Sequence, residues 1–138
     1  MPNSATIQHS KSTSLGNRQG YTLIEMMIVV SIISILATMA LPSFQKSLVR
    51  AKETNLRRTL FIMRDTIDQY YADHGRYPGS LQDLETEKYI RQIPMDPFTG
   101  NSDSWITIPP EGFAEGNVYD VHSGSNKVGL DGTPYNEW

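Results

Sequence analysis

Apolar positions fall along this chain in three regimes. From Tyr21 to Leu41 they are nearly continuous: 16 of 21 residues, broken only by Thr22, Glu25, Ser31, Ser34 and Thr38. At about 1.5 Å per helical residue, such a run spans roughly 30 Å, the thickness of a bilayer's hydrocarbon core. No Gly or Pro interrupts it before Pro42, so residues 21–41 predict one membrane-spanning helix. Beyond Pro42 the period changes. Val49, Leu56, Leu60, Met63, Ile67 and Tyr70 or Tyr71 recur at intervals of three, four or seven, which is one amphipathic stripe. A single helix is therefore predicted from about Thr22 to Asp73, greasy all round at first and only on one stripe over 42–74. Gly75 supplies the left-handed residue that ends it.

The third regime, 75–138, has short apolar clusters between turn formers. Ser80 followed by Asp83 predicts the capped start of a short helix. Two prolines and a glycine between Ile93 and Gly100 make that stretch a loop. Ser104–Ile108 and Asn117–His122 read as short strands joined by the loop 109–116. The expected fold class is α+β: a long N-terminal helical spine, membrane-spanning in its first half, packed on a small antiparallel sheet with a C-terminal loop.

Charge sharpens this division. Residues 1–20 are polar and without periodicity, with Lys11 and Arg18 as their only charges. Lys46, Arg50, Lys52, Arg57, Arg58 and Arg64 then stand against Glu53 alone. From Asp65 onward there are 13 acidic residues and four basic ones. The basic residues mostly lie off the apolar stripe, so a solvated face, or one turned toward the acidic domain of an adjacent subunit, is expected. Nucleic-acid binding is not. The absence of cysteine excludes disulfides, thiolate zinc sites and a cysteine nucleophile. His9, His74 and His122 have no partner at catalytic or metal spacing, and His122 reads as an outward-facing strand residue. No phosphate-binding glycine loop is present, and no enzyme is expected.

Glu25 is the anomaly of the apolar run. A carboxylate near a bilayer centre costs about 2.5–3.5 kcal/mol on insertion scales, and such residues are usually functional. A secretory signal peptide, with Thr38-Met39-Ala40 as a weak cleavage site, fits poorly. The run is too long for one and holds an acid.

Gly20-Tyr21-Thr22-Leu23-Ile24-Glu25, with Arg18 upstream and Pro42 closing the run, resembles the class III leader of type IV pilin-like proteins. The resemblance implies cleavage of 1–20 by prepilin peptidase between Gly20 and Tyr21, N-methylation of Tyr21, and assembly roles for Glu25 and the helix-bending Pro42. Physics supports it. If Glu25 of one subunit meets the new α-amine at Tyr21 of its neighbour, each neutralises a charge that is costly alone.

The positive-inside rule pulls the other way. Five basic residues follow the run within about 20 positions and two precede it, which by itself places the C-terminal part in the cytoplasm. The leader implies the opposite, and the leader reading is taken.

The motifs G-R-Y-P (75–78), I-P-x-D-P (93–97), Trp105 and Y-D-V-H-S (119–123) narrow the resemblance to the major pseudopilins of type II secretion. That implies a homo-oligomeric periplasmic filament which helps export folded proteins. Its partners would be minor pseudopilins, an inner-membrane platform and an ATPase. The chain would cross the inner membrane once, with 75–138 in the periplasm. A type IV pilin of a surface pilus is the alternative; such pilins often carry a C-terminal disulfide.

Residues 120–138 are oxygen-rich. From the residues alone they read either as a polar turn or as a loop whose Asp120, Ser123, Ser125, Asn126 and Asp131 offer oxygens to calcium. The resemblance implies one calcium ion, held by the carbonyls of Val121 and Ser123 and the carboxylate of Asp131, with Ser125 and Val128 as further candidates. The resembled proteins usually have two or more acids here, where this loop places one, Asp131, after Asn126.

Overall fold

The computed structural model describes Pro2 and residues 20–138. Helix α1 spans Leu23–His74, α2 Leu81–Thr86, strand β1 Ile106–Ile108 and β2 Asp120–His122, and a 3-10 turn covers Tyr135–Glu137. The chain divides into two units, Met1–Met39 and Ala40–Trp138, the division falling inside α1.

The first unit, where described, is the apolar part of α1. Thr22 starts it: its hydroxyl accepts from the Glu25 N–H at 3.2 Å and its carbonyl from the Met26 N–H at 3.2 Å, satisfying donors that a helix start otherwise leaves open. The polar side chains of the run turn back on their own helix. Ser31 and Ser34 donate to the Met27 and Val30 carbonyls, each at 2.7 Å, and Thr38 donates to the Ile35 carbonyl at 2.7 Å. The apolar side chains, from Ile24 to Leu36, are all exposed. Helix α1 continues through Pro42, whose ring removes one N–H from the ladder.

The second unit builds its core on the α1 stripe. Leu56, Leu60, Met63, Ile67 and Tyr70 are buried together with Leu81 and Leu84 of α2, Ile93, Trp105, Val118, Val121 and Tyr135. Val49 is half-buried and Tyr71 exposed, so the stripe runs through Tyr70. Helix α1 ends at His74, and Gly75 takes φ 69° as its sequence requires. Helix α2 begins as expected: the Asp83 carboxylate accepts from the Ser80 N–H at 3.1 Å and the Gly79 N–H at 2.8 Å.

The sheet is smaller than predicted, three residues per strand. It is antiparallel, with Ile106 opposite His122, Thr107 opposite Val121 and Ile108 opposite Asp120. Strand β1 is exposed along its length, and only Val121 of β2 is fully buried. Loops do the remaining core work. The Trp105 indole donates to the Pro94 carbonyl at 2.8 Å. Asp96, fully buried, accepts from the Phe98 N–H at 2.8 Å, the Gly124 N–H at 3.1 Å and the Ser123 hydroxyl. That residue joins the proline-rich loop to the chain after β2. The α+β class stands, with side-chain staples replacing the longer ladder.

Candidate assembly helix and C-terminal loop

Gly20 and Tyr21 are exposed, and the space around the Gly20 Cα is open. Arg18 and the rest of 3–19 lie outside the described residues. Glu25 sits in the first turn of α1, at the third helical position after Thr22. Thr22-x-x-Glu25 is thus a helix-start spacing as well as a leader motif, and a carboxylate there interacts favourably with the helix dipole. Among the described residues its carboxylate has no ion pair or hydrogen bond. The most apolar 18-residue window of α1 has no buried residue.

At the other end, three residues of α1 grip the C-terminal loop. Glu53 is 8% exposed and stands within the buried stripe, three residues before Leu56. Its Oε1 accepts from the Leu130 N–H at 2.7 Å and from the Tyr135 hydroxyl at 2.9 Å. Burial first, and the Glu53 hydrogen bond second, push the Tyr135 phenol up to about 12. Arg57 faces Asp131 at 3.4 Å and lies 4.3 Å from the centre of the Trp138 ring. Arg64 donates to the Asp120 carboxylate at 2.6 Å, the Val121 carbonyl at 3.1 Å and the Trp138 main-chain oxygen at 2.8 Å. Two of the six basic residues expected on a solvated or intersubunit face are therefore engaged inside their own domain.

Two of the expected calcium ligands, the Asp131 carboxylate and the Val121 carbonyl, are otherwise employed. Asp131 Oδ1 accepts from both the N–H (3.0 Å) and the hydroxyl (2.7 Å) of Thr133. These bonds are the main reason its carboxyl is held below the ordinary range. Its Oδ2 faces Arg57. The Val121 carbonyl takes the Arg64 guanidinium, and the Ser125 hydroxyl accepts from the Lys127 N–H at 3.3 Å; the Ser123 hydroxyl donates to Asp96, a bond that leaves the Ser123 carbonyl uncommitted. Val128 is exposed and pairs in an isolated bridge with Pro134. Among the described residues no three His, Cys, Asp or Glu side chains gather. Calcium takes six to eight oxygens with open lone pairs, and two guanidinium groups already face this loop. The residues present do not fit the ion.

His122 is more covered than an open strand residue would be. It stands on the face of β2 opposite the buried Val121 but is half-buried there, with Nε2 at 3.4 Å from Asp120 and Nδ1 buried without a partner among the described residues. His74 meets Glu87 at 2.9 Å. Neither stands beside a nucleophile in a cleft.

Glu53 was missed by sequence reading, which counted it as one acid among bases. The available signal was its place on the stripe: Val49, Glu53, Leu56 and Leu60 follow at four, three and four. A carboxylate at a core position needs a built partner.

An exposed apolar helix led by a lone acid, followed by a small α+β unit, is the architecture of a pilin-like structural subunit. Residues 15–41 match the prokaryotic N-terminal methylation motif. Over 74 residues the chain is 39% identical to the competence protein ComGC of Halalkalibacterium halodurans, covering 54% of this chain and 72% of that one. It is 28% identical over 133 residues to the type II secretion system core protein G of Klebsiella pneumoniae, covering 85% and 88%. A fimbrial protein of Neisseria meningitidis is 38% identical over 63 residues, covering 46% and 37%. No solved structure matches at the same level of significance. The chain belongs to the type IV pilin-like family, which includes the type II secretion core protein G.

Proposed function

We propose that this protein is the repeating subunit of a type II secretion pseudopilus. Prepilin peptidase cleaves after Gly20, Tyr21 is N-methylated, and the subunit waits in the inner membrane with its C-terminal domain in the periplasm. An ATPase-driven platform, with minor pseudopilins, then assembles it into a periplasmic filament. The observation that carries this reading is the first part of α1. Its apolar surface is exposed on every side, and a helix of that kind needs lipid or other helices around it. Glu25, four residues beyond Tyr21, is the one charge in the run and the natural partner of a neighbour's α-amine.

The secretion reading is preferred over a surface pilus because one core protein G covers 85% of this chain, while two fimbrial proteins cover 46% and 72%. The test is Glu25→Ala. Membrane insertion should persist at the wild-type level, while filaments recovered after overexpression fall at least tenfold. Filaments at normal yield from the variant would refute the pairing. Filament loss together with failed insertion would show that Glu25 acts on membrane entry instead.

A further inference from the structure

We propose that the C-terminal loop is held by a carboxylate of α1 where an ion would otherwise hold it, with Glu53 as the anchor, and that its order is independent of calcium. Glu53 is set against the loop closely. A Cβ built on Gly129 would lie 3.1 Å from Glu53 Oε1 and 3.1 Å from Asp131 Oδ1. Two carboxylate oxygens thus approach one glycine, and neither is free. Each accepts two hydrogen bonds from the loop itself: Leu130 N–H and Tyr135 O–H at Glu53, Thr133 N–H and O–H at Asp131. A cation placed between them would face oxygens already committed to four hydrogens. An ionised acceptor makes hydrogen bonds roughly twice as strong as a neutral one, so two bonds to the Glu53 carboxylate hold the loop more firmly than two neutral ones would.

Exposure separates the Glu53 grip from that of Arg57. Arg57 and Asp131 are 62% and 46% exposed at their side chains, and exposed pairs contribute little. Glu53 is buried, and so is Tyr135 at 1% exposure, with Phe98 stacked on its ring at 3.8 Å between centroids. The anchor is therefore tied directly into the core. The inference is independent of whether the assembled filament is a pseudopilus or a surface pilus.

The experiment uses the full chain in detergent micelles. Thermal unfolding and amide hydrogen exchange over 127–138 are measured with excess calcium chloride and with excess EGTA. The midpoint and the exchange of Leu130 should be the same in both. Glu53→Ala should speed exchange at Leu130 by roughly tenfold or more, and Glu53→Gln, which keeps an acceptor oxygen, by less. Should Glu53→Ala fail to fold, Tyr135→Phe removes one donor alone and should still speed exchange across 127–138. A midpoint raised by calcium overturns the proposal, as does a loop protected only in its presence. Unchanged exchange in the folded Glu53 or Tyr135 variants overturns it too.

Discussion

Tyr135 and Asp131 show how the loop's protonation is tied to its fold. The Tyr135 phenol is pushed up to about 12, from an ordinary 10.0, so the fold favours the protonated ring. Its contribution to stability is complete below pH 10 and is lost as pH rises from there toward 12. Asp131 runs the opposite way. Its carboxyl is lowered from 3.8 by the Thr133 bonds and then by Arg57, so its contribution is present above the ordinary carboxylate range and is lost as pH falls below it. A spectrophotometric titration at the phenolate band should show a late tyrosine near pH 12 that disappears in Tyr135→Phe. Tyr89, also pushed up to about 12 by its bond to Asp73, should remain. Ionisation of Tyr135 near 10 in the folded chain would contradict the buried Glu53 contact. At this scale the sequence was only partly legible. Gly75 declared its left-handed role and Asp83 its cap. Glu53 and Asp96 did not, because a lone acid reveals burial only through partners 77 or 27 residues distant in the chain.

The helix was the most legible element because its period is local. Leu56, Leu60, Met63, Ile67 and Tyr70 are all buried where the stripe places them. That period also forecasts which substitutions matter. Leu56→Ala, at a fully buried site, should cost roughly 2–5 kcal/mol in unfolding free energy. Phe61→Ala lies on the same helix with Phe61 71% exposed, and should stay within about 0.5 kcal/mol. Denaturant unfolding of the two variants separates these outcomes, and similar losses would mean that the buried face is misassigned. The strands were less legible. Thr107 and its exposed neighbours carry the β-branched signal of a strand, but the ladder stops after three residues because the chain on either side is held by other means. Gly124 is one reason: a Cβ there would strike the Ser104 carbonyl. Gly124→Ala should destabilise the domain by about 1–3 kcal/mol, read in the same unfolding series.

Over the whole molecule the apolar run and the acidic domain answer different needs. The run is exposed on its own and requires surroundings, while the residues after Ala40 close a core of their own. In the function proposed above, orientation follows from the leader and not from the count of bases. Alkaline phosphatase fused after Trp138 should therefore be active, reporting a periplasmic terminus. An inactive enzyme, with an active cytoplasmic reporter at the same place, would return the decision to the positive-inside rule.

The three hydroxyls of Ser31, Ser34 and Thr38 have a consequence for movement. Each is already bonded to its own helix, so exchanging lipid tails for neighbouring helices strands none of them. Over most of its surface the helix is indifferent to which apolar medium surrounds it. In the assembly proposed above, passage from one to the other is then a near-level step, and its direction would rest on the one group near the start that is not indifferent, the Glu25 carboxylate.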